Sequence, residues 1–182
     1  METVDFEKIL RQSAVTRPYF AGVYSADRVC KEKLFSQLKG THKPFFCIVN
    51  TDTSDGEGEH WLAIYAAADN KTVEVFDPLG LAPYAYKNLI PCFEELARND
   101  DKSLIFNNRT VQGSLSSVCG AHCVFFVYKK LTHNNMLSME DLIDKYYTSN
   151  VDYNDCMVFR FIQKYFDIAS SIKRMEKNIS CK

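Results

Sequence analysis

The sequence predicts an α+β fold in which a small mixed, mostly antiparallel sheet packs against a central buried helix and further helices. Three short apolar runs near the middle of the chain, 44–49, 60–67 and 72–77, have the length of buried strands. The later segment 118–131, VCGAHCVFFVYKKL, is apolar almost all round, which is typical of a helix enclosed by the core. Amphipathic segments on either side of these elements supply the remaining helices.

The first predicted elements are two helices and the three strands. Residues 3–12 place their apolar side chains on one stripe of a short amphipathic helix, and residues 26–38 form a second helix that Gly40 ends. Strand 44–49 follows. The next two strands flank the polar turn 69–71, which predicts a hairpin.

The remaining elements follow a break in the chain at Pro78, Gly80 and Pro83. They are predicted as a helix, a strand, the central helix and two final helices, over residues 84–98, 103–106, 118–131, 138–147 and 152–166. Ser116 or Ser117 can cap the central helix at its start, and Lys129 and Lys130 suit its C-terminal end. The tail from Asp167 shows no strong period.

Composition limits the class of protein. A chain of 182 residues suits a single domain over 1–182, and its formal net charge of −1 gives no general indication of nucleic acid as a partner. The acidic N-terminal stretch excludes a signal peptide, and no run approaches the roughly 18 apolar residues of a spanning helix. We therefore expect a soluble intracellular protein with no membrane partner. Nothing in the sequence predicts its oligomeric state.

Seven cysteines are scattered along the chain. Their odd number and the lack of a secretion signal predict reduced thiols in a reducing compartment: the host cytoplasm, the nucleus or a viral factory, with packaging in the virion as an alternative. Cys119 differs from the others because it opens the predicted buried helix and precedes Gly120. A helix N-terminus stabilises a thiolate, so Cys119 is the candidate nucleophile, although a cysteine in an apolar segment is more often a packing residue. Cys123, one turn further on, is predicted to have a raised pKa through burial.

His60 and Asp77 are the candidate partners of that thiol. His60 opens one strand of the predicted hairpin and Asp77 ends the other. A turn centred between Ala68 and Asp69 sets the two residues opposite each other, and a turn centred one residue later leaves them within diagonal reach. Each alone is more often a solvated histidine or a turn aspartate. Together they match a base whose tautomer is fixed by a carboxylate.

Gln112 is the candidate oxyanion donor. It lies in the loop VQGSLSSVCG before the buried helix, and its side-chain amide can donate a hydrogen bond to a developing oxyanion. Metal binding is the other chemistry that Cys and His support. No second Cys/His pair at ligand spacing accompanies Cys119, His122 and Cys123, so we expect no metal site.

At these residues the chain resembles the adenovirus endopeptidase (adenain) family, in the clan that also holds the SUMO- and ubiquitin-like-protein proteases. The similar segments are PYFAGVYSADR, FCIVNTDTSDGEGEHWLAIY, VEVFDPLG and VQGSLSSVCGAHCVFF, at 18–28, 46–65, 73–80 and 111–126. A weaker likeness continues through 154–166. Virophages and Polinton or Maverick elements encode relatives of the same design.

The resemblance implies a cysteine endopeptidase with a sheet on one side, helices on the other and the active site between them. It implies Cys119 as nucleophile, His60 as base, Asp77 as third member and Gln112 as oxyanion donor, with Trp61 as wall and core. The implied substrates are capsid or core precursors of a virus or virus-like element, cut at Gly or other small residues. The alternatives are a deconjugating protease for ubiquitin-like proteins and a catalytically silent binding module.

The chain departs from the family in two features that concern cofactors. The adenovirus enzyme is strongly basic and uses DNA and a disulfide-linked viral peptide, whereas this chain is slightly acidic. No cysteine lies at 99–111, where the peptide-linking cysteine is expected, and Cys92 comes too early. The resemblance allows an activating peptide or DNA, but the sequence itself requires no cofactor, so this dependence is not carried over to the chain.

Overall fold

The computed structural model describes residues 3–29, 43–67, 72–99, 103–133 and 136–166. Within these ranges the strands are β1 (Phe20–Ser25), β2 (Phe45–Asn50), β3 (Trp61–Ala66), β4 (Thr72–Phe76) and β5 (Ser103–Phe106). The helices are α1 (Thr3–Gln12), α2 (Ala26–Val29), α3 (Ile90–Asn99), α4 (Cys119–Thr132), α5 (Met139–Tyr146) and α6 (Val151–Tyr165). The predicted α+β class is confirmed.

The five strands form one sheet in the order β1-β2-β3-β4-β5. The inner pairings β2–β3 and β3–β4 are antiparallel, while the outer pairings β1–β2 and β4–β5 are parallel. The sheet is therefore mixed, as predicted, but antiparallel pairings are not the majority. The reason is connectivity: α3 carries the chain from β4 to β5, and a crossover of this kind joins parallel strands. Strand β1 was not predicted.

Helices cover both faces of the sheet rather than one. Helices α1, α4, α5 and α6 pack on the first face, where the buried side chains include Phe46, Tyr65 and Phe126. Residues of α2 and α3 pack on the opposite face, against Val49 and Ile64. The prediction of helices on one side only is wrong because β2, β3 and β4 bury side chains on both faces and need cover on both.

The ends of several elements differ from the prediction. The helix predicted over 84–98 begins at Ile90, after a 3₁₀ turn at Pro83–Ala85. Helix α4 has Val118 at its N-cap with no side-chain cap, so the prediction of Ser116 or Ser117 as cap is wrong. Most of the helix predicted over 26–38, the turn 69–71 and the tail lie outside the described residues.

The state of the cysteines corrects another expectation. Cys47, Cys119 and Cys123 are free, but Cys92 and Cys156 are disulfide-bonded, so the prediction of reduced thiols is wrong for these two. Disulfide formation depends on the approach of two Cα atoms in space, which cysteine number and spacing do not give. Among the described helices, none combines the length and the apolar character needed to cross a bilayer.

Candidate active site

The structure brings His60, Asp77 and Cys119 together where β3 begins, β4 ends and α4 starts. His60 immediately precedes β3, Asp77 immediately follows β4, and Cys119 is the first residue of α4. The His60 Nε2 lies 2.7 Å from Asp77 Oδ1, and the His60 and Cys119 side chains line the same cleft and interact electrostatically. Because Nε2 faces the carboxylate, Nδ1 is left for the thiol.

The hairpin register and one packing contact set this geometry. Ala63 pairs with Phe76, which is the register that offsets His60 and Asp77 by two residues and leaves them in diagonal reach. Helix α4 packs against the β3 face through buried residues such as Cys123 and Val127, which share a core cluster with Ala63. The first turn of α4 therefore meets the start of β3.

Hydrogen bonds to both its side chain and its main chain hold Asp77 in place. Its carboxylate accepts hydrogen bonds from the Leu79 and Leu81 main-chain N–H groups, at 2.8 and 2.7 Å, and from the Tyr86 hydroxyl at 2.6 Å. The buried Asn107 side chain accepts from the Asp77 N–H and donates to the Asp77 carbonyl, both at 2.7 Å. This carboxylate therefore has a fixed position from which to orient His60.

Gly80 allows the turn after Asp77 to form. Its φ is +63°, and a Cβ there would lie 2.5 Å from the Arg109 carbonyl carbon, so a side chain does not fit. The sequence pattern Asp-Pro-x-Gly indicates this turn, in which an aspartate side chain binds the N–H two residues on. Sequence reasoning missed Tyr86 and Asn107. The Asp-Pro-x-Gly pattern draws attention to donors near Asp77, but no local pattern indicates Asn107.

The pKa values of the three residues are coupled. Burial opposes charge on His60, but hydrogen bonds to Asp77 and Cys119 outweigh it and raise the His60 pKa to about 9. Burial likewise opposes ionisation of Cys119, yet the hydrogen bond and charge of His60 lower the Cys119 pKa. For Asp77, burial is outweighed by hydrogen bonds from His60 and Tyr86, so its pKa is lowered. The site therefore favours a thiolate, an imidazolium and a carboxylate together.

Cys123 has the opposite electrostatic environment. It is fully buried one turn into α4, and its thiol donates to the Trp61 carbonyl at 3.2 Å. Burial raises the Cys123 pKa well above the usual value, as predicted, and the nearby Cys119 adds to the effect. Of the two thiols of this helix, Cys119 is thus the one whose ionisation the surroundings favour.

Gln112 is almost fully buried, at 3% exposure. Its main-chain N–H donates to the Pro78 carbonyl, and its side-chain Nε2 donates to the Ser116 carbonyl at 2.9 Å. A carboxamide nitrogen carries two hydrogens, so one remains after the bond to Ser116. Gln112 and Cys119 line the same cleft.

The cleft has a volume of about 870 Å³ and lies over the start of α4. Besides His60, Cys119 and Gln112, its walls come from β1, from the 53–59 loop and from the 114–117 loop. Trp61 also lines it and packs on Phe6 of α1, with ring centroids 4.7 Å apart. Trp61 therefore contributes to both wall and core. The space suits several residues of an extended polypeptide.

Tyr86→Phe should lower kcat/KM of this site about tenfold, because a hydroxyl hydrogen bond to a charged acceptor contributes about 1.5–3 kcal/mol and Asp77 retains other donors. Loss of this donor also raises the Asp77 pKa. The measurement is kcat/KM against pH on a peptide substrate. Tyr84→Phe, in the same turn but 78% exposed, is the matched control and should leave kcat/KM unchanged. Equal effects of the two changes would contradict the role of Tyr86.

Comparison with known proteins shows several matches. The family model for adenovirus endoprotease matches residues 30–152. The chain is 28% identical over 131 residues to the protease of bovine adenovirus 2, covering 68% of this chain and 60% of that protein. It is 31% identical over 120 residues to the protease of human adenovirus D serotype 9, covering 61% of this chain and 54% of that protein. The chain thus corresponds to little more than half the length of these relatives.

Two solved structures share the fold. An ASFV protease superposes with a TM-score of 0.56 at 19% identity, covering 92% of this chain and 68% of that chain. AvrA superposes with a TM-score of 0.54 at 20% identity, covering 84% of this chain and 57% of that chain. At these identities the likeness concerns the fold alone. It agrees with the five-stranded mixed sheet and its covering helices.

Proposed function

The chain belongs to the adenovirus endoprotease family, and from this premise we propose that it is a cysteine endopeptidase with Cys119 as nucleophile. The observation that carries the proposal is the His60 ring, which binds Asp77 at 2.7 Å and lines the same cleft as Cys119, where the His60 charge favours the Cys119 thiolate. This arrangement stands in a cleft of about 870 Å³. His60 is the proposed base, and Asp77 fixes its tautomer.

In the proposed acylation step the Cys119 thiolate attacks the scissile carbonyl carbon, and the carbonyl electron pair moves onto oxygen. Gln112 and the N–H groups at the uncapped start of α4 donate hydrogen bonds to that oxyanion. As the C–N bond breaks, the His60 imidazolium gives its proton to the leaving amine. The product is a thioester on Cys119 and a free amino terminus.

In the proposed deacylation step neutral His60 removes a proton from water, which attacks the thioester carbonyl. The C–S bond then breaks and the Cys119 thiolate leaves, while His60 holds the proton as imidazolium. The carboxylic acid product dissociates and the starting ion pair is restored. Asp77 keeps its charge throughout.

We further propose that the substrates are precursor proteins of a viral or virus-like capsid or core, cut beside Gly or another small residue. Family membership supports this proposal, since the relatives it matches are adenovirus proteases. A source in a virophage or a Polinton or Maverick element stays a prediction. We also propose that neither DNA nor a peptide is required, given the net charge of −1.

The experiment that tests this function is digestion of a proteome-derived peptide library, with cut sites identified by mass spectrometry. Cuts that cluster at small residues and vanish in Cys119→Ala are the expected result. Adding DNA should not change their rate. Cleavage restricted to folded ubiquitin-like reporters ending in Gly-Gly would instead identify a deconjugating protease. No Cys119-dependent cleavage of either kind would contradict the proposal.

The coupled pKa values predict a broad pH optimum for kcat/KM. On the acid side, kcat/KM falls only below the lowered pKa of Cys119, where the thiolate is protonated. On the alkaline side, it falls as His60 loses its proton at about 9 and can no longer protonate the leaving amine. At pH 6 iodoacetamide should alkylate Cys119 at least about tenfold faster than free cysteine. Cys119→Ala gives the background, and a rate equal to that of free cysteine would favour a silent binding module.

A further inference from the structure

A second histidine–aspartate pair is buried between α4 and α6. His122, three residues after Cys119 in α4, places its Nε2 2.8 Å from Asp155 Oδ1 in α6. The His122 side chain is fully buried and that of Asp155 is 4% exposed. The proposed reaction does not use this pair directly, yet burial of two polar groups is costly without a compensating role.

The His122 ring donates one hydrogen bond and accepts another. A carboxylate only accepts, so Nε2–H of His122 donates to Asp155 and Nδ1 becomes the acceptor. The Tyr147 hydroxyl, 3.3 Å from Nδ1, is positioned to donate to it. Burial lowers the His122 pKa even though Asp155 opposes that shift, which is consistent with a neutral ring. The chain of donors therefore ends on the Asp155 carboxylate.

Asp155 also binds the loop that precedes α4 and contains Gln112. Its Oδ2 accepts the main-chain N–H of Gly113 at 3.1 Å, and Gly113 directly follows Gln112. A Cβ on Gly113 would lie only 3.0 Å from the same oxygen, so the close approach suits glycine. The neighbouring Asn154 donates its Nδ2 to the Val111 carbonyl at 3.1 Å. Helix α6 thus binds the main chain on both sides of Gln112.

The opposite side of this loop is bound to the turn that holds Asp77. The N–H groups of Val111 and Gln112 both donate to the Pro78 carbonyl, at 2.9 and 3.1 Å. The main chain at Gln112 is therefore fixed between the Asp77 turn and α6. The Gln112 side chain can therefore point the remaining hydrogen of its amide in few directions.

Resting on the proposed function, we infer that Asp155 and His122 are positioning residues that hold the Gly113 N–H and thereby aim the Gln112 amide at the oxyanion. Neither side chain touches the substrate in this role. Their effect should appear in the chemical step and not in formation of the Cys119 thiolate, which depends on His60.

The first test is Asp155→Asn, an isosteric change that places an amide where two N–H groups need an acceptor. We expect kcat to fall about tenfold to a hundredfold, because a displaced catalytic group loses its alignment with the transition state. KM should change by less than about twofold, and the rate of Cys119 alkylation at pH 6 should stay unchanged. A purely structural defect would instead lower alkylation and kcat together.

The second test varies the donor to Asp155. His122→Gln keeps an N–H in reach of the carboxylate and should retain kcat within about threefold, whereas His122→Leu should lose kcat as Asp155→Asn does. His133→Leu is the matched control, since His133 ends the same helix and contacts the Tyr146 hydroxyl, far from the cleft. It should leave kcat unchanged. If Asp155→Asn does not fold, the comparison of His122→Gln with His122→Leu tests the inference in its place.

The third test places Asp155→Asn in a Gln112→Ala background. There it should lower kcat by less than about twofold, because the Gln112 amide that Asp155 positions is absent. An equal loss in both backgrounds, or wild-type kcat in both Asp155→Asn and His122→Leu, would overturn the inference while leaving the proposed function intact. A wild-type chain that cleaves no substrate would overturn the proposed function and the inference with it.

Discussion

Replacing Cys119 by alanine is expected to lower kcat about a million-fold, the size of effect seen when a covalent nucleophile is removed from a triad that acts as a unit. The alanine has no atom that can form the thioester, so only binding and the oxyanion donors remain. KM should change little, because the thiol contributes little to ground-state binding. The measurement is single-turnover cleavage of the best library peptide, followed by mass spectrometry.

The companion changes test whether the three residues act together. His60→Ala should lower kcat about as much as Cys119→Ala does, and the double variant should be no slower than either single variant. Asp77→Asn should cost about ten-thousandfold, because a neutral amide favours the wrong tautomer of His60. Cys47→Ala, a free buried thiol on the opposite face of the sheet, is the control and should keep wild-type kcat.

Two outcomes would count against this triad. Residual activity within about a hundredfold of wild type in Cys119→Ala would point to a nucleophile elsewhere, since oxyanion donors and binding alone give far less. Losses that multiply in the double variant would show that Cys119 and His60 act independently. In that case the electrostatic interaction between their side chains would have no catalytic role.

The parts of the site that sequence analysis could predict depend on local geometry. His60 and Asp77 lie in one hairpin, so strand pairing alone brings them within reach, and the observed register is one of the two considered. Cys119 was identifiable because an apolar helix begins at it. In each case, residues close in sequence determine the position.

The parts that could not be predicted depend on contacts between distant segments. Asn107 binds the Asp77 main chain and Asp155 binds Gly113 across large separations in sequence, and no local pattern indicates either contact. Strand β1 was missed because its residues alternate weakly between buried and half-buried. Its parallel pairing with β2 depends on a crossover rather than on a turn signal.

The largest stability effect is expected at the other end of α4. The Lys130 ammonium lies 2.7 Å from Glu74 Oε2 in β4 and donates to the Leu137 carbonyl at 2.7 Å. Glu74 also accepts the Met139 N–H at 3.1 Å. Both side chains are almost fully buried, at 4% and 8% exposure. The pair therefore joins the sheet, α4 and the start of α5 at one point.

Lys130→Met should lower the free energy of unfolding by about 3–5 kcal/mol, because it leaves the Glu74 carboxylate buried without a counter-charge. Lys130→Met with Glu74→Leu should recover most of this loss, since a buried ion pair offers little net advantage over an apolar pair of similar volume. Urea unfolding measures both. Asp144→Ala breaks the exposed pair with Arg109 and should change the free energy by less than about 1 kcal/mol. A single-variant loss no larger than that of Asp144→Ala would mean that water reaches Glu74 and that the buried pair does not hold α4 against the sheet.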